Sequence, residues 1–386
     1  MRLLNVIPSI DPAKGGTSEG LRQAVLATAA LGHVDEVVCL DAPDAPWLAG
    51  FPARVHALGP VTSTYGYHRG LVPWLRAHAA GFDAVVVHGV WQYTSLAVWR
   101  ALRRGPVPYF VYFHGMLDPW FKRAYPLKHL KKWFYWPWAD YRVARDARAV
   151  LFTAREEERL AAQSFWLYRV TPAVVGYGLA VEGPRDDGQV EAFHAAFPQT
   201  RDRHLVLFLA RLNEKKGCDL LVRAFAQLAR VDDRAHLVMA GPDPDGLGDG
   251  LRQLAREHGV ADRITWTGML QGPLKWGALS AADVFALPSH QENFGVAVVE
   301  ALSVGLPVLV SQRVNIWREV VDDGAGLSDA DTAQGTTAML MRWHALAAVD
   351  RQAMRARAVA CYQRRFRMEA AASRLIATIA PHVRAA

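Results

Sequence analysis

Between Val284 and Ser311 the chain reads VFALPSHQENFGVAVVEALSVGLPVLVS, and these residue types at these spacings suit the binding of a phosphate beside hydroxyl groups. Val284 to Pro288 is short and apolar, as a strand would be, and SHQEN is a polar loop. A helix is expected to open near Gly295, run through Glu300 and stop at Gly305, with Pro307 admitting the next strand. The unpaired N–H groups of such a helix start, around Asn293, Phe294, Gly295 and Val296, favour a phosphate together with the positive end of the helix dipole. Glycine at 295 lets the ligand approach the backbone closely. Glu292 in the loop and Glu300 a turn or so into the helix add two carboxylates, which would repel the phosphate unless they serve the ribose and sugar hydroxyls next to it. A lone glutamate is most often a solvated surface residue, but Glu300 is set in VAVVEALSV, where burying an idle charge is costly.

A second constellation is FLARLNEKKG, residues 208 to 217. A strand ending at Ala210 delivers Arg211, then Lys215, Lys216 and Gly217 at the start of a helix. A guanidinium takes two oxygens of a diphosphate and a lysine adds a point charge, so Arg211 and Lys216 could neutralise a leaving diphosphate without metal. A solvated basic turn has the same composition, and Lys215 is expected to stay in solvent. A metal-dependent alternative would use Asp243 and Asp245 of PDPDG as an imitation D-x-D pair, but that Pro- and Gly-rich loop suits an ordinary turn. No metal and no cofactor are expected.

The elements that must position these groups alternate along the whole chain. Apolar runs at 3–9, 35–40, 83–89, 108–115 and 147–154 are separated by helical patterns such as SEGLRQAVLATAALG, and a second series occupies 204–210, 235–241, 262–268, 283–289 and 306–311. Near-continuous apolar strands between helices are the pattern of parallel sheets covered on both faces. The fold class expected is α/β with two Rossmann-like doubly wound domains, residues 1–180 and 181–365, and a C-terminal helix at 366–386 packing back towards the first domain. The stretch from Thr171 to Phe197, rich in Gly, Pro and charge, is expected to connect the two. In such sheets ligands sit at the C-terminal strand ends, in the crevice between domains.

At 386 residues the chain exceeds what one core serves, which supports two domains. No apolar run is long enough to span a bilayer, and the first residues are broken by Asn5, Ser9 and Asp11, so a cytoplasmic protein whose first run is a strand is expected. Cys39, Cys218 and Cys361 are widely separated and fit neither a zinc site nor a disulfide framework. A formal net charge of +7 points to anionic partners without choosing among them.

The two constellations carry a resemblance. RLNEKKG is similar to an R-x4-K-G pattern, and Glu292 to Glu300 to an E-x7-E motif within E-x-F-G-x4-E-A-x3-G-x-P-V, matched at Glu292, Phe294, Gly295, Glu300, Ala301, Gly305, Pro307 and Val308. On these the chain resembles GT-B-fold retaining glycosyltransferases of family four, most specifically over residues 205 to 325. The resemblance implies a donor site in which Arg211 and Lys216 bind the diphosphate, Glu300 the ribose and Glu292 the donor sugar, with the backbone of Gly268, Met269 and Leu270 bordering the base. It also implies that Gly15 and Gly16 form an N-terminal glycine loop over the diphosphate. A plain turn with a helix cap at Thr17 or Ser18 is compatible with that. His114, ending the strand PYFVYFHG, falls where the family has a histidine near the transferred sugar, whereas His88 of VVVHGVW has no such clear counterpart. Tyr177 stands before Gly178 where many relatives have Asn, so contacts of that turn do not carry over.

The implied partners are a UDP- or GDP-type nucleotide-sugar donor and a glycan acceptor, free or lipid-linked. Between Lys122 and Trp138, cations alternate with WFYWPW. That stretch reads equally as a site for an anionic membrane surface, making the protein peripheral on the inner face of the cytoplasmic membrane, and as a helix whose aromatics pack inward under solvated lysines. A GT-B epimerase or phosphorylase is the nearest rival class. Nucleic-acid binding would account for the basic charge, but no recognisable module interleaves stacking aromatics with a basic stripe, and no nucleic-acid partner is expected.

Overall fold

The computed structural model describes residues 1–14, 16–181 and 187–383. The chain divides into two units, Met1–Ala180 with Arg367–Ala386, and Val181–Phe366.

In the first unit, seven strands form one parallel sheet: β1 (Arg2–Val6), β2 (Val34–Cys39), β3 (Arg54–Ala57), β4 (Ala84–His88), β5 (Tyr109–Tyr112), β6 (Ala149–Phe152) and β7 (Pro172–Val174), in the order β3-β2-β1-β4-β5-β6-β7. The strands are apolar because both faces are covered. Leu4, Val6, Val85, Val87, Val111 and Phe152 pack into one core layer, and Leu3, Ala84, Val86, Phe110 and Leu151 into the other. The second layer is completed by Leu375 and Ile379 of the helix Met368–Ile379, whose Met368 and Ala372 also meet Ala27 of the helix Gly16–Ala30.

In the second unit six parallel strands follow the order β10-β9-β8-β11-β12-β13, with β8 at His204–Leu209, β9 at Ala235–Ala240, β10 at Ile264–Gly268, β11 at Val284–Leu287, β12 at Val308–Ser311 and β13 at Gly326–Asp329. Both sheets are doubly wound. The direction of winding reverses between β1 and β4 in one and between β8 and β11 in the other, and beyond those strand ends a doubly wound sheet binds its ligand.

Two readings of the sequence are corrected. Much of 171–197 is not connection: Pro172–Val174 is the edge strand of the first sheet, and Asp187–Ala196 is a helix of the second unit. That helix lies so close to the helix Gly272–Ala281 that a Cβ on Gly277 would stand 2.1 Å from the Gln189 carbonyl oxygen. Gly and charge in the segment disguised a packed helix. The helix after β1 begins at Gly16, so Thr17 and Ser18 lie in its first turn instead of capping it, and the Ser18 hydroxyl donates to the Ser9 carbonyl at 3.3 Å.

Candidate active site

The chemistry-bearing residues of the second unit gather at its switch point, where β8 and β11 release adjoining loops. Beyond β8, Arg211 is exposed and makes no ion pair among the described residues. The Asn213 side chain accepts from the Lys215 N–H at 3.0 Å and caps the turn Glu214–Lys216. Gly217 closes this turn in the left-handed region, φ 64°, and a Cβ there would stand 2.3 Å from the Pro288 carbonyl oxygen. Glycine therefore lets the two loops touch, and the His290 N–H donates to the Lys215 carbonyl at 2.8 Å.

That contact sets Lys216 against Glu292, with which it forms an ion pair. The Glu292 backbone is held at both ends: its N–H donates to Arg313 O and its carbonyl accepts from Asn315 N, each at 2.9 Å. Asn293 accepts from the Asn315 side chain at 3.1 Å, and Phe294 is buried edge-on against Phe366. Gly295, φ 75°, then turns the chain into the helix Val296–Ser303, whose start carries no side-chain cap. An uncapped helix start suits a ligand or water that accepts from its first N–H groups.

Glu300 lies on the buried side of that helix and pairs with Lys275 at 2.8 Å. Both line a cavity of about 490 Å³, bordered also by Arg211, Gly241, Met269 and Leu270. Gly268 adopts φ 66° with open space around it, Met269 is exposed and Leu270 is buried. The hollow thus presents Arg211 and the Lys275–Glu300 pair, and the Lys216–Glu292 pair and the Gly295 helix start stand on the adjoining loops. It can bind a diphosphate flanked by hydroxyl-bearing rings.

Two residues here escaped the sequence reading. Lys275, in GPLKWG, sits in no motif; its only signal is a lone cation opening an otherwise apolar helix. At Gly241, φ 150°, a Cβ would stand 1.8 Å from the Ala210 carbonyl oxygen, so glycine allows β9 to end against the strand that delivers Arg211. The Asp243 carboxylate accepts from the Leu247 and Gly248 N–H groups, both at 2.8 Å, and so holds its turn, while Asp245 accepts from the Asn213 side chain at 2.5 Å. Among the described residues no group of three or more His, Cys, Asp or Glu is placed to hold a metal ion.

The switch point of the first unit has a different character. His88 ends β4, and its Nε2 lies 3.0 Å from Asn5 Oδ1 of β1, while its Nδ1 lies 3.3 Å from His114 Nε2. The Asn5 amide donates to Asp35 at 2.7 Å, and Asp35 also accepts from Thr28. Desolvation holds the His114 imidazole down to about 4 and, with His114 beside it, His88 well below the ordinary range; burial pushes the Asp35 carboxyl up. His114 takes φ 50°, uncommon for a side chain of its size, and is followed by Gly115 at φ 73°. Glu157 fastens this turn: it accepts from the Gly115 N–H at 2.5 Å and from the Thr153 N–H and hydroxyl at 2.6 Å. Its place in AREEERL gave no hint of that.

Tyr177 donates its hydroxyl to the Gly16 carbonyl at 3.0 Å and sets its ring edge-on to His114. Its hydroxyl oxygen occupies the space over Gly20, where a Cβ would stand 1.2 Å away. Gly15 lies outside the described residues. Asn5, His88, His114 and Tyr177 line a cavity of about 40 Å³.

A doubly wound sheet in each unit and a basic loop beside a glycine-opened helix at one switch point define a class, the GT-B glycosyltransferases, and solved structures agree on the fold. Sucrose-phosphate synthase from Thermosynechococcus elongatus aligns with TM-score 0.76 at 21% identity, covering 97% of each chain. Anabaena HepE, crystallised with UDP and glucose, aligns with TM-score 0.75 at 17% identity over 99% of this chain and all of its own.

Residues 189–344 match the family described as glycosyl transferases group 1, and residues 15–178 match the glycosyl transferase 4-like domain. The chain belongs to this glycosyltransferase family. Among its curated relatives, the D-inositol 3-phosphate glycosyltransferase of Thermomonospora curvata is 34% identical over 46% of this chain and 43% of its own. The alpha-D-kanosaminyltransferase of Streptomyces kanamyceticus is 30% identical over 48% of each. The chain thus spans less than half the length of these relatives. No helix among the described residues is long and apolar enough to cross a membrane.

Proposed function

We propose that this protein transfers a hexose from a nucleotide-diphosphate sugar, of UDP or GDP type, to a glycan acceptor, with retention of the anomeric configuration and without a metal. The observation that carries this reading is the hollow of about 490 Å³ lined by Arg211, in which Glu300 is paired with Lys275 and Arg211 makes no ion pair among the described residues. A leaving diphosphate needs positive charge, which Arg211, Lys216 and the Gly295 helix end supply. Once a phosphate draws Lys216, Glu292 is freed to take a sugar hydroxyl, and Glu300 takes the ribose. No carboxylate is assigned as a covalent nucleophile, so the leaving phosphate accepts the acceptor's proton in a front-face substitution. His114 of the first unit serves the transferred sugar.

Thermal-shift titration with UDP, GDP and their hexoses tests the donor, since a ligand bound only to the folded state raises the melting temperature. One nucleotide family should stabilise strongly, and the product's anomeric proton should match that of the donor. Stabilisation by none of them, or an inverted product, overturns the reading. Isomer exchange of a UDP-sugar, or phosphate-dependent glycan cleavage, would point to the epimerase or phosphorylase instead.

The acceptor is lipid-linked in this reading, with synthesis of a cell-surface polysaccharide as the setting. What favours it is the helix Pro126–Tyr135 and its surroundings, where Leu127, Leu130, Trp133, Phe134, Trp138 and Trp166 are exposed beside exposed Lys122, Lys128 and Lys131. Apolar side chains bordered by cations suit an anionic headgroup layer. Sedimentation with anionic liposomes should carry the protein down, and charge reversal of the three lysines should release it. Failure of the wild type to sediment would leave a soluble acceptor, such as the phosphorylated cyclitol in the relatives' names.

A further inference from the structure

We infer that His88 is a positioning residue that fixes His114 in one tautomer, with the proton on Nε2 and a lone pair on Nδ1, so that His114 meets its ligand only as a hydrogen-bond acceptor. The argument follows the direction of each hydrogen bond across the first sheet's switch point. Asp35 offers carboxylate oxygens, so the group of Asn5 that faces it at 2.7 Å is the amide NH2. The Asn5 carbonyl oxygen is therefore the atom 3.0 Å from His88 Nε2, and an amide oxygen only accepts, so Nε2 of His88 carries hydrogen. Burial keeps His88 neutral, which leaves its Nδ1 without a proton. The atom 3.3 Å from that Nδ1 is His114 Nε2, which must then be the donor.

His114 is neutral as well, so its remaining nitrogen, Nδ1, has a lone pair and no partner among the described residues. The neighbouring groups do not compete: Tyr112 stacks on both rings, and Tyr177 sends its hydroxyl to Gly16. The same relay holds the strained backbone of His114 in register from one side while Glu157 holds it from the other. An acceptor at Nδ1 binds a hydroxyl and repels an anionic oxygen. If the protein transfers sugars as proposed above, His114 therefore serves a hydroxyl of the transferred sugar and not the diphosphate.

The first test is nitrogen NMR of the histidine rings in the full-length protein near pH 7.5. His114 and His88 should both show protonated Nε2 and bare Nδ1; a proton on Nδ1 of His114 overturns the inference. His88→Leu should let His114 populate both tautomers and lower the transfer rate about tenfold, the loss expected when one oriented hydrogen bond is no longer enforced, with the donor KM little changed. His88→Gln presents an amide oxygen and an NH2 where the ring had Nδ1 and Nε2, and should restore both tautomer and rate. A His88→Leu protein that keeps the wild-type tautomer and rate also overturns it. The ring spectra do not depend on catalysis, so their failure refutes the relay, whereas an intact relay in a protein that transfers no sugar refutes the proposed function alone.

Discussion

The two switch points are built from opposite materials. At the end of β8 and β11 the second unit concentrates full charges: Arg211 and the Lys275–Glu300 pair line an open hollow, and Lys216 pairs with Glu292 on the adjoining loops. At the end of β4 and β5 the first unit places neutral groups, His88, His114, Asn5 and Tyr177, around a cavity of about 40 Å³. Charge in a partly wet site can bind and release a strongly charged ligand because its own ion pairs open as the ligand arrives. Neutral, desolvated rings hold geometry and direction instead. One site is suited to an anion, the other to orienting hydroxyls.

The largest expected effects break the charged side. Arg211→Ala or Lys216→Ala should each lower turnover by about 10²- to 10³-fold, the range seen when one preorganised donor to a developing anion is removed. Steady-state product assays decide it, and near-normal turnover in both variants would sink the assignment of that loop. Lys275→Ala should act on binding instead. Glu300 would lose its partner and the hollow one positive charge, so the nucleotide Kd should rise by about tenfold while the ring spectra of His88 and His114 stay unchanged. A shift in those spectra would show that the two sites are not separate constructions.

Which parts of this contrast the sequence displayed depends on how local each feature is. The charged site is written in two short runs, because the tight turn at Gly217, the helix start at Gly295 and the carboxylates between are set by neighbours in sequence. The pairing of Lys216 with Glu292 spans 76 positions and exists only because β8 and β11 are adjacent, which no local pattern reveals. In the first unit even more was hidden: Asn5 looked like a break in an apolar run, Asp35 the start of a strand, and His88 lacked a motif. Their common site depends on β1 lying between β2 and β4. Short or polar edge strands such as Arg54–Ala57 and Gly326–Asp329 also escaped, since alternation of long apolar runs was the signal followed.

The neutral side is probed by pH. Both imidazoles have folded values pushed below the ordinary 6.5, His114 to about 4, so the unfolded chain takes up their protons first. Stability from them is complete above about 6.5 and is lost as pH falls towards 4. Asp140 opposes this, since burial raises its carboxyl to about 6 and the folded state gains a proton there. The comparison is therefore between variants: wild type should lose more stability than His88→Leu between pH 7 and 5 in denaturant titrations. Parallel curves would mean that burial of these rings has no energetic consequence.

The smallest expected effect is the most discriminating. If Arg211, Lys216 and the helix end at Gly295 together neutralise the leaving diphosphate, a divalent cation would add charge where three sources already act. Turnover should then be unchanged in EDTA, measured after extended chelation and again with Mg²⁺ or Mn²⁺ restored. A loss on chelation that is recovered with metal would show that the protein's own cations do not suffice. The carboxylates at 292 and 300 would then have to be reconsidered as metal ligands rather than partners of sugar and ribose, and the contrast between a charged, self-sufficient site and a neutral, directional one would no longer hold.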